Sequence, residues 1–302
     1  MNTFPQNLKL ISEALNLNIE NWAVIAHKDT ISSQVFRLQL QNGAELIAKF
    51  PHSSKRWKRE TFFLDHLQKI LPVAKLQDVI EPSDNFAGAI IMKSIPGALA
   101  SKESLSQKQA QQMGECLGKL HTLPATHYGD IAQPEKELVT ANATIKESFE
   151  SAYKECTGTL PEKLLSQIES LFYKKLEAIK TFDGPCIVHK DFRPGNVIFQ
   201  DDRIGGILDF ESSLFSFAEE DFAQMEHLVW STHTATKQSF LDGYQSIRSL
   251  PNISAIMPLL RLNKAIGGVG FTIARNTYKD KHQYIFDMNM LYIKTLLKKA
   301  IS

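Results

Sequence analysis

The chain has 302 residues, of which 43% are hydrophobic and 22% charged, and its 34 Lys and Arg against 33 Asp and Glu leave a net charge of +1. This composition is typical of a globular protein long enough for two packed lobes, and it excludes disordered, collagenous and membrane-bundle classes. The balanced charge predicts neither a nucleic-acid partner nor a membrane surface.

The three cysteines, Cys116, Cys156 and Cys186, lie far apart and form no CxxC pair. This spacing argues against a disulfide framework and against a thiolate metal site. The first residues lack the basic and apolar segments of a signal peptide. We therefore expect a cytoplasmic protein.

The first part of the chain is predicted to form a small antiparallel sheet. Three strand-like segments come first, and Asn42-Gly43 is a hairpin turn because both residues tolerate positive φ. A helix capped by Ser53 or Ser54 runs to about Ile70, and two more strands precede a short linker. The predicted strands are Trp22–Ala26, Val35–Leu40, Ala44–Phe50, Leu76–Ile80 and Ala89–Met92, and the linker is Lys93–Gly97.

The remainder of the chain is predicted to be mostly helical. Ser106 and Gln109 form a capping box at the start of one helix. Two polar helices are expected between Glu135 and Ile179, with a break near Thr159–Pro161. A strand, a loop and a hairpin then interrupt the helices, and from Asp221 the pattern is helical to the end. These segments are Cys186–Val188, His189–Asn196, Val197–Gln200 and Ile204–Leu208.

The segment Val188–Glu211 carries polar residues at the ends of an apolar hairpin. Asn196 lies where the first hairpin strand begins, and Asp209 follows the second. In an antiparallel pair these two ends are adjacent, and Asp191 is expected nearby. Such hard oxygen ligands suit Mg²⁺ together with phosphate. A capped polar turn is the alternative, but roughly 0.02 chance matches to H-x-D-x₄-N are expected in this composition.

The strand Glu45–Phe50 contains Lys49, and the next helix places Glu60 on the same face as Trp57 and Leu64. A buried carboxylate without a cation would cost several kcal/mol, so Lys49 is the expected partner of Glu60. The alternative is a Lys that reaches solvent from an edge strand, beside a half-exposed Glu.

These motifs resemble the protein-kinase-like phosphotransferases, and among them the aminoglycoside phosphotransferase and choline kinase superfamily. The family's H-G-D-x₄-N loop and I-D-[WF]-[ED] motif are similar to His189–Asn196 and Leu208–Glu211. The resemblance implies that Asp191 is the catalytic base and that Asn196 and Asp209 hold Mg²⁺. It further implies structural roles for His189 and Asp221. Lys190 replaces the usual Gly and is expected to point to solvent.

The resemblance also implies an α+β bilobal kinase-like fold that binds ATP, with GTP as the alternative nucleotide. Residues 1–93 would form the nucleotide-binding lobe and residues 94–302 the catalytic and acceptor-binding lobe, with a hinge at 93–97. Lys49, held by Glu60, would contact the phosphates. The phosphate-covering loop, residues 27–34, has no glycine, so Ser32 and Ser33 would take its place. Residues Met92, Lys93 and Ile95 would surround the adenine.

The acceptor is expected to be a small molecule with a hydroxyl group. Residues 209–236 contain six acids and neither Lys nor Arg, which predicts a cationic acceptor. Glu211 would contribute charge, and Glu226 with Trp230, four residues apart on one helical face, would bind an ammonium. A solvated acidic face is the alternative explanation. The oligomeric state, monomer or homodimer, stays open.

Three other functions are compatible with parts of the pattern. A choline or ethanolamine kinase is one, since Asp209-Phe210-Glu211 also resembles that branch. A nucleotide-binding pseudokinase is favoured by the glycine-free loop but disfavoured by the presence of Lys49, Asp191 and Asp209. A protein kinase is disfavoured because neither a D-F-G triplet nor an A-P-E segment follows Asp209.

Overall fold

A computed structural model describes residues 4–25, 33–136 and 140–301. Its N-terminal part contains two helices and five strands, and these form one antiparallel sheet in the order β1-β2-β3-β5-β4. The elements are α1 (Phe4–Leu15), β1 (Ile19–Val24), β2 (Gln34–Leu40), β3 (Glu45–Phe50), α2 (Ser54–Leu67), β4 (Leu76–Ile80) and β5 (Ala89–Lys93).

The sheet follows from alternating polarity in its central strands. In β2, Phe36, Leu38 and Leu40 are buried while the residues between them face outward. Because successive strand residues point to opposite faces, this pattern buries one face of the sheet. Ile11 of α1 is fully buried in the same hydrophobic cluster. The pairing of Lys49 with Val35 and with Ile90 places the lysine in the middle of the sheet.

Helix α2 connects the sheet to the rest of the molecule. The side chain of Ser53 accepts a hydrogen bond from the backbone N–H of Arg56 and caps the helix. The helix buries Glu60, Phe63, Leu64 and Leu67. These apolar side chains belong to a hydrophobic cluster that also contains residues from the C-terminal helices.

The C-terminal part contains seven helices and five short strands among the described residues. The strands form two small sheets, β6-β8-β9 and β10-β7. The elements are β6 (Ala98–Leu99), α3 (Gln107–Thr122), α4 (Ala141–Cys156), α5 (Glu162–Glu177), β7 (Cys186–Val188), β8 (Val197–Gln200), β9 (Arg203–Ile207), β10 (Leu214–Ser216), α6 (Glu219–Met225), α7 (Lys237–Gln245), α8 (Ile253–Ala274) and α9 (Gln283–Ile301).

Close helix packing holds this part together. A Cβ atom at Gly114 of α3 would lie 2.0 Å from the carbonyl oxygen of Phe240 in α7, and one at Gly243 would lie 2.0 Å from that of Gln111. Only glycine permits this approach of the two backbones. In the described ranges, no helix is both long and apolar enough to cross a membrane.

Most predicted elements are present, with four differences. The strand predicted at Trp22–Ala26 spans Ile19–Val24, and residue 26 lies outside the described part. Helix α1 and the short strands β6 and β10 were not predicted. Strands β6 and β10 consist of two and three residues that pair with distant strands, and so short a segment has no detectable period of its own.

Candidate active site

The loop after β7 is held in place by the buried carboxylate of Asp221 on α6. Its Oδ2 accepts from the backbone N–H of His189 at 2.7 Å, and its Oδ1 accepts from that of Lys190 at 2.6 Å. Burial opposes ionisation of Asp221, but the hydrogen bond and charge of His121 outweigh it and lower the pKa of the carboxyl. Lys190 has φ 69°, a conformation that L-residues adopt at a cost. The Asp221 contacts therefore stabilise the turn that presents Asp191.

His189 and Lys190 both contact groups of the chain itself. The Nε2 atom of His189 lies 2.9 Å from the carbonyl oxygen of Leu208, next to Asp209. Lys190 does not point to solvent as expected: its Nζ donates to Glu220 Oε1 at 2.5 Å. The prediction was wrong because the partner lies thirty positions away, on a helix that packs beside the loop.

Three side chains surround the carboxylate of Asp191. Asn196 Nδ2 donates to its Oδ2 at 2.8 Å, and Arg193 Nε lies 3.3 Å from its Oδ1. Gln224 of α6 donates to Oδ1 as well. Asp191 is half-exposed, so this carboxylate is oriented by its neighbours and is open to a ligand.

Asn196 and Asp209 come from adjacent strand ends. The backbone N–H of Leu208 donates to the carbonyl oxygen of Asn196 at 2.9 Å, and Val197 pairs with Ile207. Asp209 has the left-handed conformation with φ 69° and ψ 58°, which Asp tolerates better than most residues. Both side chains line the same cleft.

Lys49 lies at the centre of a cluster of carboxylates. Its Nζ is 2.6 Å from Glu60 Oε2, 2.7 Å from Asp209 Oδ1 and 3.2 Å from Glu211 Oε2. Lys49 and Glu60 are buried, whereas about a third of the Asp209 side chain is exposed. The lysine therefore connects the N-terminal sheet to the strand end that carries Asp209.

The charges of this cluster shift the pKa values of its members. Burial disfavours the charged form of Lys49, but the carboxylates of Asp209, Glu60 and Glu211 raise its pKa well above the ordinary value. Burial is also the largest influence on Glu60. Together with the charges of Asp209 and Glu211 it outweighs Lys49 and raises the pKa of Glu60 to about 7. One buried ammonium thus faces more negative charge than it neutralises.

Glu211 belongs to this cluster as well. Arg56 of α2 forms an ion pair with its Oε1, and Ser33 Oγ donates to its Oε2 at 2.7 Å. The structure therefore places Ser33 and Glu211 together beside Lys49. The predicted residue Ser32 lies outside the described residues.

A cleft of about 410 Å³ opens between the sheet and the C-terminal part. At one end it is lined by Lys49, Glu60, Asn196 and Asp209, and at the other by apolar side chains and the linker. The predicted residues Met92, Lys93 and Ile95 all line it. The mixture of an apolar end and a charged end fits a ligand with a flat ring and an anionic tail.

The residues present fit a divalent cation. Carboxylate oxygens of Glu60, Asp209 and Glu211 lie within 4.8 Å of one another. Asn196 adds an amide group at the same end of the cleft. Hard oxygen donors at such spacing are the ligands that Mg²⁺ prefers.

The structure gives the predicted acceptor-binding residue Glu211 different partners from Glu226 and Trp230. Glu211 contacts Lys49 and Arg56, whereas Glu226 Oε2 accepts from Lys237 Nζ at 2.7 Å. Lys237 Nζ lies 5.1 Å from the centre of the Trp230 ring, and that ring is buried. Glu226 and Trp230 do share a cation, as their spacing predicts, but the cation belongs to the chain itself. Both residues lie on a π-helical turn, Glu226–Trp230, that follows α6.

Sequence reasoning missed Arg56, Arg193 and Gln224. Gln224 lies three residues after Asp221 on α6, so helical spacing places it on the same face. That face meets the candidate catalytic loop, which is the loop from His189 to Asn196. Arg193 lies two residues after Asp191, inside the motif. Arg56 offered no signal, because only the packing of α2 against residues 210–212 brings it to Glu211.

Solved structures share this fold along almost the whole chain. A thermostable mutant of the aminoglycoside phosphotransferase APH(4)-Ia, in ternary complex with ADP and hygromycin B, superposes with a TM-score of 0.70 at 11% identity, covering 95% of this chain and 97% of that one. The gentamicin complex of APH(2")-IIa gives 0.70 at 18% identity, covering 96% and 97%. The macrolide 2'-phosphotransferase MphH from Brachybacterium faecium gives 0.64 at 14% identity, covering 94% and 97%. The expected α+β bilobal kinase-like fold is confirmed.

Sequence comparison finds a homoserine kinase from Rhodospirillum rubrum, 26% identical over 167 residues. The match covers 53% of this chain and 50% of that protein, so the chain spans about half the length of the curated relative. Residues 24–255 match the phosphotransferase enzyme family. This match covers well over half of the sequence and confirms the expected resemblance: the chain belongs to the phosphotransferase enzyme family.

Proposed function

We propose that this protein is a small-molecule kinase that transfers the γ-phosphoryl group of ATP to a hydroxyl of its acceptor. The observation that carries the proposal is the convergence of Asn196 and Asp209 with Lys49 at one end of the cleft. Asp191 is linked to this group through its hydrogen bond with Asn196. The charged end supplies the positioning and charge stabilisation that phosphoryl transfer needs.

The nucleotide would occupy the cleft with its base at the apolar end. Backbone groups near Lys93 and Ile95 would bind the adenine edge, and Met92 would contact its face. Lys49, held by Glu60, would contact the phosphates, with Ser33 and the predicted residue Ser32 close to them. This orientation agrees with the distribution of apolar and charged residues along the cleft.

Asn196 and Asp209 would hold Mg²⁺ at the phosphate end. When bound, the ion neutralises charge on the phosphate oxygens. The amide nitrogen of Asn196 is engaged by Asp191, which leaves the amide oxygen as the atom that can face a cation. Lys49 bonds to one oxygen of the Asp209 carboxylate, so it holds this side chain at the edge of the cleft.

Asp191 would accept the proton of the acceptor hydroxyl. As the proton moves to the carboxylate, the hydroxyl oxygen bonds to the γ-phosphorus, the bond from this phosphorus to the β,γ-bridging oxygen breaks, and ADP leaves. Asn196, Arg193 and Gln224 orient the carboxylate. A correctly held base and acceptor lower the entropic part of the barrier.

The acceptor class rests on different observations. The relative named homoserine kinase favours a hydroxyl-bearing amino acid, and this is the second candidate beside an aminoglycoside-like or choline-like amine. The expectation of a cationic acceptor stays a prediction. Its support is weakened because all six acids between 209 and 236 are engaged by groups of the chain itself. They are Asp209, Glu211, Glu219, Glu220, Asp221 and Glu226.

Replacing the proposed base tests the function. Asp191→Asn should lower turnover by roughly 10²–10⁴-fold in an ADP-release assay with Mg²⁺, the range for loss of a general base, while ATP binding persists. Asp201→Asn is the matched control, because Asp201 lies in the exposed β8–β9 turn with φ 48°, where Asn is tolerated. Undiminished turnover in Asp191→Asn would exclude the base role. Nucleotide binding without ADP release for any hydroxyl acceptor would instead indicate a pseudokinase.

A further inference from the structure

One face of helix α8 carries three cations and no acid. The helix carries Arg261, Lys264 and Phe271, and Arg275 follows its last residue. Their separations of three, seven and four residues place them on one face. In the described part of the chain, none of the three cations has a carboxylate within the 4.0 Å of an ion pair. The helix therefore supplies three cations and no acid of its own.

Lys264 places this face beside the catalytic loop. Its Nζ donates to the carbonyl oxygen of Lys190, the neighbour of Asp191, at 2.9 Å. Burial, and then the charge of Lys190, lower the pKa of Lys264, while the carboxylates of Glu220 and Asp191 act in the opposite direction. An ammonium bonded to a carbonyl keeps two further donors, and the residue whose carbonyl it contacts precedes the proposed base, Asp191.

Each of the two arginines, Arg261 and Arg275, has a buried N–H donor without a hydrogen-bond acceptor among the described residues. Arg261 lies 4.4 Å from the centre of the Tyr292 ring and Arg275 lies 4.1 Å from that of Phe271. Within the described ranges, Arg261 Nε and Arg275 Nη1 are buried without a hydrogen-bond partner. Leaving a buried donor of a charged group unpaired is costly, so these atoms indicate a ligand group that accepts hydrogen bonds.

His227, on the neighbouring π-helical turn Glu226–Trp230, is affected by the same positive charges. Burial, and then the charges of Arg261 and Lys264, lower the pKa of His227 to about 4. Two acids that precede His227 in the chain pair with other cations, Glu220 with Lys190 and Glu226 with Lys237. A Cβ atom at Gly267 would meet no atom within 4 Å, so there is open space beside the helix three residues after Lys264.

We propose that this face of α8 binds a carboxylate of the phosphoryl acceptor, and that the acceptor is therefore a hydroxy acid or hydroxy amino acid. The inference rests on the proposed kinase function and names its substrate class. Lys264 and Arg261 would bind the carboxylate, which places the acceptor hydroxyl toward Asp191. They act as specificity-determining residues, since they contact a part of the acceptor that does not react.

Matched pairs of alcohols with and without a carboxylate test the inference. Suitable pairs are L-serine with ethanolamine, L-threonine with isopropanolamine, L-homoserine with propanolamine, and glycerate with glycerol. We expect ADP release in the presence of MgATP for carboxylated members, and a lower KM than for their partners. Binding measured by saturation-transfer NMR without nucleotide should show the same preference.

Charge-removing variants locate the contact. Lys264→Gln and Arg261→Gln should each raise KM for a carboxylated acceptor roughly 10-fold or more, the loss expected for one charge-assisted hydrogen bond, with a smaller effect on kcat. Lys294→Gln on the exposed face of α9 is the control and should behave as wild type. Lys264→Arg should restore most of the affinity. A Lys264 that only braced the catalytic loop would instead change kcat for all acceptors equally.

The outcomes separate this inference from the function on which it rests. Preference for the amine or neutral member of each pair, or no binding by any carboxylated member, overturns the inference. Turnover of those other alcohols would leave the kinase function standing. Carboxylate binding that depends on Lys264 and Arg261 supports the inference even without ADP release, and such a result would count against the kinase function alone.

Discussion

The two ends of the active-site region have opposite charge imbalances. Around Lys49, one buried ammonium faces three carboxylates within 3.2 Å. Along α8, three cations have no carboxylate partner among the described residues. Both regions adjoin the loop from His189 to Asn196. On the first side, the carbonyl oxygen of Leu208, next to Asp209, contacts His189, and on the second, Lys264 donates to the carbonyl oxygen of Lys190.

The difference indicates what each end receives. On the proposed function, a divalent cation would neutralise the excess negative charge at Lys49, and an anionic group of the acceptor would neutralise the positive charge at α8. Neither local charge imbalance is visible in the net charge of +1. The acidic stretch at 209–236 does not reveal the row of cations on α8 either. Charge counted along the chain therefore misrepresents the charge that a ligand meets.

The largest effect is expected at Asp209. Asp209→Asn keeps a residue that tolerates the left-handed conformation but removes a negative ligand. Mg²⁺-dependent ATP binding should weaken by at least about 100-fold, because several kcal/mol of metal–ligand charge stabilisation are lost. Calorimetric titration with and without Mg²⁺ measures this. Asp202→Asn, with φ 60° in the β8–β9 turn, is the matched control. Equal Mg²⁺ dependence in both variants would contradict the metal role.

Gln224 is expected to have the next largest effect. Gln224→Leu removes a donor to Asp191 without removing charge, so kcat should fall roughly 10-fold, as for one lost hydrogen bond to a charged group. The KM for ATP should stay unchanged, since Gln224 contacts the base and not the cleft. A change confined to the KM for ATP would show that Gln224 acts on the nucleotide and not on the base.

The pH dependence of stability sharpens the comparison at Lys49. The pKa of Glu60 is raised from 4.5 to about 7, so the folded protein holds this proton more tightly than the unfolded chain does. The free energy of unfolding should therefore fall as the pH rises through this window. Urea denaturation at several pH values measures it, and Glu60→Gln, which cannot ionise, should flatten the curve. Parallel curves for the two proteins would exclude Glu60 as the source.

The smallest effect is expected at Lys237. Lys237→Gln releases Glu226 and the Trp230 ring from a half-exposed ion pair, so stability should change by at most about 1 kcal/mol. Acceptor preference should also stay the same, because the carboxylate-binding face is on α8. A gain of activity toward cationic alcohols would instead show that Glu226 and Trp230 bind an acceptor ammonium once Lys237 is absent.

Local patterns were sufficient for most elements and for the meeting of Asn196 with Asp209. Strands β4, β7 and β8 have the predicted bounds. The pairing of Lys49 with Glu60 was predictable because helical spacing buries Glu60 and a buried carboxylate needs a cation. Asn196 and Asp209 meet because a hairpin joins their two strands. Each of these inferences depends on neighbours within one or two elements.

The sequence by itself determined most strand and helix segments, the loop from His189 to Asn196 and the buried Lys49–Glu60 pair, because periodicity and turn chemistry act over a few residues. Only the tertiary structure decided which charges neutralise each other. The pairs Arg56–Glu211, Lys190–Glu220 and Lys237–Glu226 form between elements that pack side by side. Coulomb energy depends on distance in space and on burial, and neither quantity is readable from the order of residues.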